Sequence, residues 1–341
     1  MMGSQTFTCY LVDRAPGEPA AGGLRSAVTQ QPLAALPAGD VLIRVHWSAV
    51  NYKDALAASG HPGVTRAFPH VPGIDAGGVV VESCDPRFAP GDPVLVHSCD
   101  VGAGRWGAWA EYLRTPGDWV VPLVRGLSLR EAMIYGSAGV TAVLCIQALQ
   151  RHGVQPECGE VVVTGATGGV GCFAVIMLAQ LGYEVAAVTG KSGEHERLRR
   201  WGARRVLPRE EVDRDRGKPL LSARWAGAVD TVGGWTLATL LRQTGKLGCV
   251  AACGLVGGAE LPLTVYPFIL RGVTLAGIDA TTCFGMGSLP VWEKLAGAWR
   301  VAQLETLATT IGLRQLDAYV QKILRGEVVG RVVVDLQAAR D

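Results

Sequence analysis

Nothing in this chain pairs its cysteines. The nine of them (Cys9, Cys84, Cys99, Cys145, Cys158, Cys172, Cys249, Cys253 and Cys283) are odd in number and scattered, and no Cys-x-x-Cys occurs. That argues against a disulfide framework and against a zinc knuckle, and for a reduced, cytoplasmic protein whose thiols act as small hydrophobes. The six histidines (His46, His61, His70, His97, His152, His195) stand apart from one another and from the cysteines. A catalytic zinc takes three protein ligands and a structural zinc four, so no metal is expected. A dominant sign of charge is missing as well. With 32 Lys and Arg against 30 Asp and Glu, the chain offers no electrostatic footprint for nucleic acid or an anionic membrane. No apolar run approaches the roughly 18 to 20 residues of a membrane span. Met1-Met2-Gly3-Ser4-Gln5 lacks the basic-then-apolar order of a signal peptide. Repeats, low-complexity segments and long charge runs are absent.

What the chain does have is apolar content and glycine. Its 341 residues, 49% hydrophobic, suffice for two domains. The run Val161-Val162-Val163-Thr164-Gly165-Ala166-Thr167-Gly168-Gly169-Val170-Gly171, followed by the apolar stretch 173–181, reads as a buried strand, a tight turn and a helix start. Such a turn aims backbone N–H groups and the positive end of a helix dipole at a pyrophosphate. A second strand at 184–188 completes a βαβ unit of about 30 residues. Strand and helix then alternate at 194–201, 204–207, 228–232, 235–243 and 247–252, the pattern of a parallel doubly wound α/β sheet. Short strands at 41–45, 77–82, 92–97, 110–113 and 119–122 give a β-rich N-terminal part, and residues 271–278 and 331–336 are β again. Ser128-Leu129-Arg130-Glu131 fits a capping box. The expected organisation is residues 1–124 as the β-rich domain, 125–268 as the nucleotide domain, and 269–341 as a return to the first.

The strand ending Val188 leads into Thr189-Gly190-Lys191-Ser192, roughly 20 residues after the first glycine of the turn, where an NAD enzyme places an acid for the ribose 2′-hydroxyl. Hydroxyls and an amine stand there instead and suit the 2′-phosphate of NADP, with Arg205 as a second cation. The plainer alternative is a solvated Lys191 at a helix start, where a cation is slightly unfavourable. Asn51-Tyr52-Lys53-Asp54 mixes an amide, a phenol, an amine and a carboxylate where a loop leaves a strand, the kind of place where active-site groups gather. It also reads as a helix start capped by Asn51, and both readings can hold together.

The sequence resembles the zinc-independent medium-chain dehydrogenase/reductases, and within them the acryloyl-CoA reductase branch of quinone-oxidoreductase-like proteins. The segments carrying the resemblance are 46–56, 68–75, 161–171, 225–233, 250–255, 267–271 and 330–334, collinear over nearly the whole chain. The resemblance implies a GroES-like catalytic domain, a Rossmann domain and NADPH. It places Tyr52, Thr167, Gly168, Gly169, Val170, Thr189, Gly190, Lys191, Arg205, Leu255, Ile269 and Ala280 along the cofactor. Ala280 stands where the branch usually has a serine.

The expected reaction is hydride transfer from NADPH to the β-carbon of an α,β-unsaturated carbonyl compound or enoyl thioester. Tyr52, Asn51 and Asp54 are the candidate catalytic residues, with Asn51 and Tyr52 as donors to the developing enolate. Alternatives are a quinone reductase, a relative recruited to biosynthesis with a non-CoA substrate, and a non-catalytic NADPH-binding redox sensor. The segments 98–106 and 280–290 depart from the branch, and the second carries no positive charge for a CoA handle. A homodimer through the sheet edge at 273–278 is expected, with a small-molecule substrate as the only other partner.

Overall fold

The computed structural model describes residues 5–14, 23–65, 67–213 and 217–337. They fall into two compact units, residues 1–137 with 280–341, and residues 138–279. The joins lie elsewhere than the sequence suggests. The first is at 137/138 rather than 124/125, because the opening turns of the helix Leu129–Arg151 are bonded to first-unit residues. The Val301 amide donates to the Tyr135 hydroxyl at 2.8 Å, and Arg331 Nε donates to the Ile134 carbonyl at 2.8 Å. The second is at 279/280 rather than 268/269, because Thr274–Gly277 is a strand of the second unit, parallel to residues 249–252.

The second unit is built on six parallel strands, in the order Arg205–Leu207, Val185–Val188, Val161–Val163, Trp225–Asp230, Thr244–Ala252 and Thr274–Gly277. Val161–Val163 is buried throughout, with no alternation, as befits a strand covered on both faces. Numbered along the chain the order is 3-2-1-4-5-6, the Rossmann arrangement. It reverses between Val161–Val163 and Trp225–Asp230, and ligands bind outside the carboxyl ends of the strands at such a reversal.

In the first unit a seven-stranded sheet runs Ala308–Gly312, Arg331–Asp335, Val41–Val50, Ala76–Ser83, Pro93–Val96 and Val120–Pro122, with Tyr112–Thr115 also paired to Val41–Val50. All its pairs are antiparallel except the first. A hairpin, Thr6–Arg14 with Leu24–Pro32, is added outside it. The core gathers Ile43, Val94, Val96, Trp109 and Leu113. Three neighbouring strands fix the polar site described below: Val41–Val50 ends at Asn51, Ala76–Ser83 begins after Asp75, and Arg331 opens Arg331–Asp335, in which Val332 pairs with Val50.

The capping box forms as expected. Ser128 N donates to Glu131 Oε2 at 2.8 Å, and Glu131 N donates to Ser128 Oγ at 3.2 Å. Gly136 breaks the long helix at φ +48, and a Cβ there would lie 2.4 Å from Asp75 Oδ2, so only glycine fits. The sequence reads as lacking a membrane-length apolar run, yet this helix passes on length and composition, with a mean hydropathy of 1.6 over its most apolar window. That window is 83% buried inside the protein, as in a core helix.

Candidate functional site

The glycine turn is shaped by close approach. A Cβ on Gly165 would lie 2.2 Å from Thr231 Oγ1, and one on Gly171 would lie 2.2 Å from the Gly165 carbonyl. Gly168 caps the helix Gly169–Gln180 without a side chain, and the first bond back into the turn is Cys172 N to Gly168 O at 2.9 Å. The amides of Gly169, Val170 and Gly171 precede that bond, so they have no partner within the helix and face outward at its positive end. These are the donors a pyrophosphate takes. Thr164 Oγ1 donates to buried Asp230 at 2.6 Å, and Asp230 also accepts from Gly233 N at 2.7 Å. This ties the turn to the loop after Trp225–Asp230. Burial raises the Asp230 carboxyl above its ordinary range.

Beside the turn, Thr189 Oγ1 lies 3.4 Å from Thr167 Oγ1 and accepts from Lys191 N at 3.1 Å. Thr167, Thr189, Gly190 and Lys191 therefore stand together at the carboxyl edge of the sheet. Arg205 does not join them. It opens its strand level with Ala186, and its guanidinium pairs at 2.9 Å with Glu160, just before Val161, toward the amino-terminal margin. The cation that stands with Lys191 at the carboxyl edge is Arg209, two residues beyond that strand. A Cβ on Gly190 would lie 2.5 Å from Arg209 Nε. Burial lowers the Lys191 ammonium from its ordinary range, and the Arg209 charge lowers it further against an opposing effect of Glu194. The sequence hides Arg209 because it follows the strand that Arg205 opens. Leu255 lies at the same edge, its backbone beside Gly233, and its side chain is exposed, as is that of Ile269 on the helix Tyr266–Arg271. Tyr52 and Ala280 belong to the first unit.

In that unit Asn51 caps the helix Tyr52–Ala58 with a reciprocal box to Asp54. Asn51 Nδ2 donates to Asp54 Oδ2 at 3.0 Å and to Asp75 Oδ2 at 2.8 Å, and Asn51 Oδ1 accepts from Arg331 Nη1 at 3.1 Å. An amide has two N–H donors, and both are spent. This corrects the expectation that Asn51 serves an enolate. Asp54 is likewise committed, accepting from Asn51 N and Ile74 N at 2.7 Å each. Burial, and then the charge of Asp75, push its carboxyl up to about 7. Both residues hold the helix start in place. Tyr52 is different: it is half-buried, and its hydroxyl has no hydrogen-bond partner among the described residues. Sequence reasoning missed Asp75, Ser137 and Arg331. The visible signal was a lone charge at the margin of an apolar strand, Asp75 before Ala76–Ser83 and Arg331 opening Arg331–Asp335.

Comparison with known families matches residues 37–125 to the alcohol dehydrogenase GroES-like domain and residues 169–296 to the zinc-binding dehydrogenase family. Zinc does not fit this donor set, since no three of His, Cys, Asp or Glu come together among the described residues to hold an ion. Acrylyl-CoA reductase AcuI of Ruegeria pomeroyi is 44% identical over 97% of this chain and 100% of its own length. The crystal structure of E. coli K-12 YhdH with bound NADPH superposes with a TM-score of 0.91 at 44% identity, covering 96% of this chain and all of that one. Bacillus subtilis yhfP with NAD bound gives 0.91 at 43%, covering 97% and 100%. The chain belongs to the quinone-oxidoreductase-like medium-chain dehydrogenase/reductases, in the acrylyl-CoA reductase branch.

Proposed function

We propose that the protein is an NADPH-dependent reductase of the activated C=C bond of an α,β-unsaturated thioester or carbonyl compound. The observation that carries this is the carboxyl edge of the Rossmann sheet. It presents an amide cradle for a pyrophosphate, then Thr189, Lys191 and Arg209, with no acid at the ribose position. The acrylyl-CoA reductase relative supplies the reaction class. When bound, NADPH supplies the hydride that adds to the β-carbon. Gly169, Val170 and Gly171 offer amides to its pyrophosphate, and Lys191 and Arg209 neutralise its 2′-phosphate. Tyr52 keeps a donor available for the enolate oxygen or the α-carbon.

Two observations favour a substrate without a strong CoA handle. Residues 280–290 contain no Lys, Arg or His. In 98–106, Arg105 is engaged with the Ala38 carbonyl and stacked over Trp119, its Cζ 5.7 Å from the ring centre. Cations usually meet the phosphates of CoA. Acrylyl-CoA and its pantetheine-truncated analogue should therefore be reduced with similar kcat/KM, because remote binding energy is what a lost handle removes. A preference of about a thousandfold or more for the full CoA ester would overturn this assignment. Turnover of quinones with no reduction of any activated alkene would overturn the reductase reading itself.

A cytoplasmic homodimer completes the proposal. All nine cysteines are free, consistent with a reducing compartment. Thr274–Gly277 ends the sheet as an edge strand, and Leu247, Val265, Ile269 and Leu270 expose 61–68% of their surface in the segments flanking it. An exposed edge with apolar neighbours is normally covered. Light scattering at micromolar concentration should give twice the chain mass, and a monomer would contradict the pairing.

A further inference from the structure

At the end of the helix Tyr52–Ala58 away from Tyr52, the first unit holds an open cavity of about 690 Å³. That volume lies in the range of small-molecule sites. Three elements wall it: the hairpin Thr6–Arg14 with Leu24–Pro32, the turn that follows Ala58, and the helix Leu316–Leu324. Direct contacts fasten these walls together. A Cβ on Gly60 would lie 2.2 Å from Leu24 Cδ1, so Leu24 sits on the turn itself. Tyr10, only 2% exposed, donates its hydroxyl to Asp317 Oδ1 at 2.5 Å, and Ser26 Oγ donates to the same oxygen at 2.5 Å. The hairpin is thereby tied to the helix Leu316–Leu324, and the cavity between them is preformed.

The lining divides by chemistry. Leu24, Ala58, Phe68 and Val320 give an apolar surface. Arg14 stands beside it, level with Leu24 in the hairpin ladder, its Cζ 5.6 Å from the centre of the Phe68 ring. Arg25 lines the cavity too, opposite Asp13 in the ladder and not ion-paired with it. The anion of the cavity is Asp317. Both hydroxyls reach its Oδ1, while Oδ2 has no partner among the described residues, neither arginine included. Cation, anion and apolar face thus share one cavity without the charges neutralising each other. A guanidinium offers five donors in a fixed fork that matches a carboxylate. A carboxylate oxygen takes an ammonium through a charge-assisted hydrogen bond.

We propose that this cavity is a second small-molecule site, for a zwitterion with an apolar or aromatic body. The ligand's carboxylate meets Arg14, its ammonium meets Asp317 Oδ2, and its body lies on Leu24, Phe68 and Val320. A ligand of one sign would cover the other charge without pairing it, and an uncharged one would do so to both, which costs free energy. The site is separate from the proposed reaction. Ala58 follows Tyr52 by six residues, about 9 Å along a helix, and the pyrophosphate cradle belongs to the second unit. The ligand touches the last turn of the helix that Tyr52 opens, the place of an effector rather than a reactant.

Isothermal titration calorimetry of the intact protein tests the site without turnover, so its outcome is independent of the reductase reading. The probes are leucyl-phenylalanine, its N-acetyl form, which lacks the ammonium, and its carboxamide, which lacks the carboxylate. The dipeptide should bind, and each blocked form should bind about tenfold more weakly or worse, the worth of one charge-assisted hydrogen bond. Asp317→Asn keeps the Oδ1 acceptor for Tyr10 and Ser26, so the hairpin stays fastened. It should weaken the dipeptide by about tenfold and leave the N-acetyl form unchanged. Arg14→Gln should weaken the dipeptide to a similar degree and leave the carboxamide unchanged. Binding of none of the three probes at millimolar concentration overturns the proposal. So do equal affinities for all three, or a dipeptide affinity that is unmoved in either variant.

Discussion

NADPH is expected to bind at least tenfold more tightly than NADH, and Lys191→Ala or Arg209→Ala should each remove most of that preference. One charge-assisted hydrogen bond to the 2′-phosphate is worth about 1.5–3 kcal/mol, or roughly 10- to 150-fold in affinity. The two cations stand beside Gly190, and the segment Thr189-Gly190-Lys191-Ser192 directly after Val188 holds no carboxylate. Arg205→Ala should leave the ratio unchanged, because its guanidinium is paired with Glu160. Fluorescence titration of each cofactor checks all three variants. Equal affinities in wild type, or a preference lost in Arg205→Ala and kept in Arg209→Ala, would contradict the assignment.

Tyr52→Phe should lower kcat by about 10²–10⁴, the usual worth of a positioned general acid, while NADPH affinity stays within about twofold. The Tyr52 phenol keeps its donor, whereas Asn51 and Asp54 are committed to one another, to Asp75 and to the Ile74 amide. Asn51→Ala should act on stability instead. It removes both donors that Asn51 Nδ2 gives to the buried carboxylates of Asp54 and Asp75, and such losses cost about 1–3 kcal/mol each. Thermal unfolding beside steady-state kinetics separates the two effects. A Tyr52→Phe enzyme with near-normal kcat would remove the proton donor from the account.

The second unit was legible because its signals are local. Val161–Val163 is continuously apolar, the glycines sit at fixed offsets after it, and the following strands are spaced for parallel crossovers. Thr274–Gly277 was placed with the wrong unit because a strand's partner is a long-range fact, and its sequence alone does not name residues 249–252. The same reason hid the hairpin Thr6–Arg14 with Leu24–Pro32. The position of Thr189 and Lys191 at the carboxyl edge of the sheet could be read from their distance to the turn. Arg205 and Arg209 are four residues apart and differ only in which end of a short strand they flank, which spacing does not reveal. Asn51, Asp75, Ser137 and Arg331 meet from four separate segments. No motif spans them, so an amide with both N–H groups committed looked like an available one.

Hydride transfer from NADPH to the β-carbon of an activated alkene is the step that defines the proposed reductase. It is tested most directly by incubating the protein with NADPH deuterated at the transferring C4 position and acrylyl-CoA or its pantetheine analogue. NADPH consumption should be matched one-to-one by the saturated thioester, with deuterium at the β-carbon and a solvent-derived hydrogen at the α-carbon. Deuterium at the α-carbon, or NADPH consumed only when a quinone replaces the alkene, would contradict it.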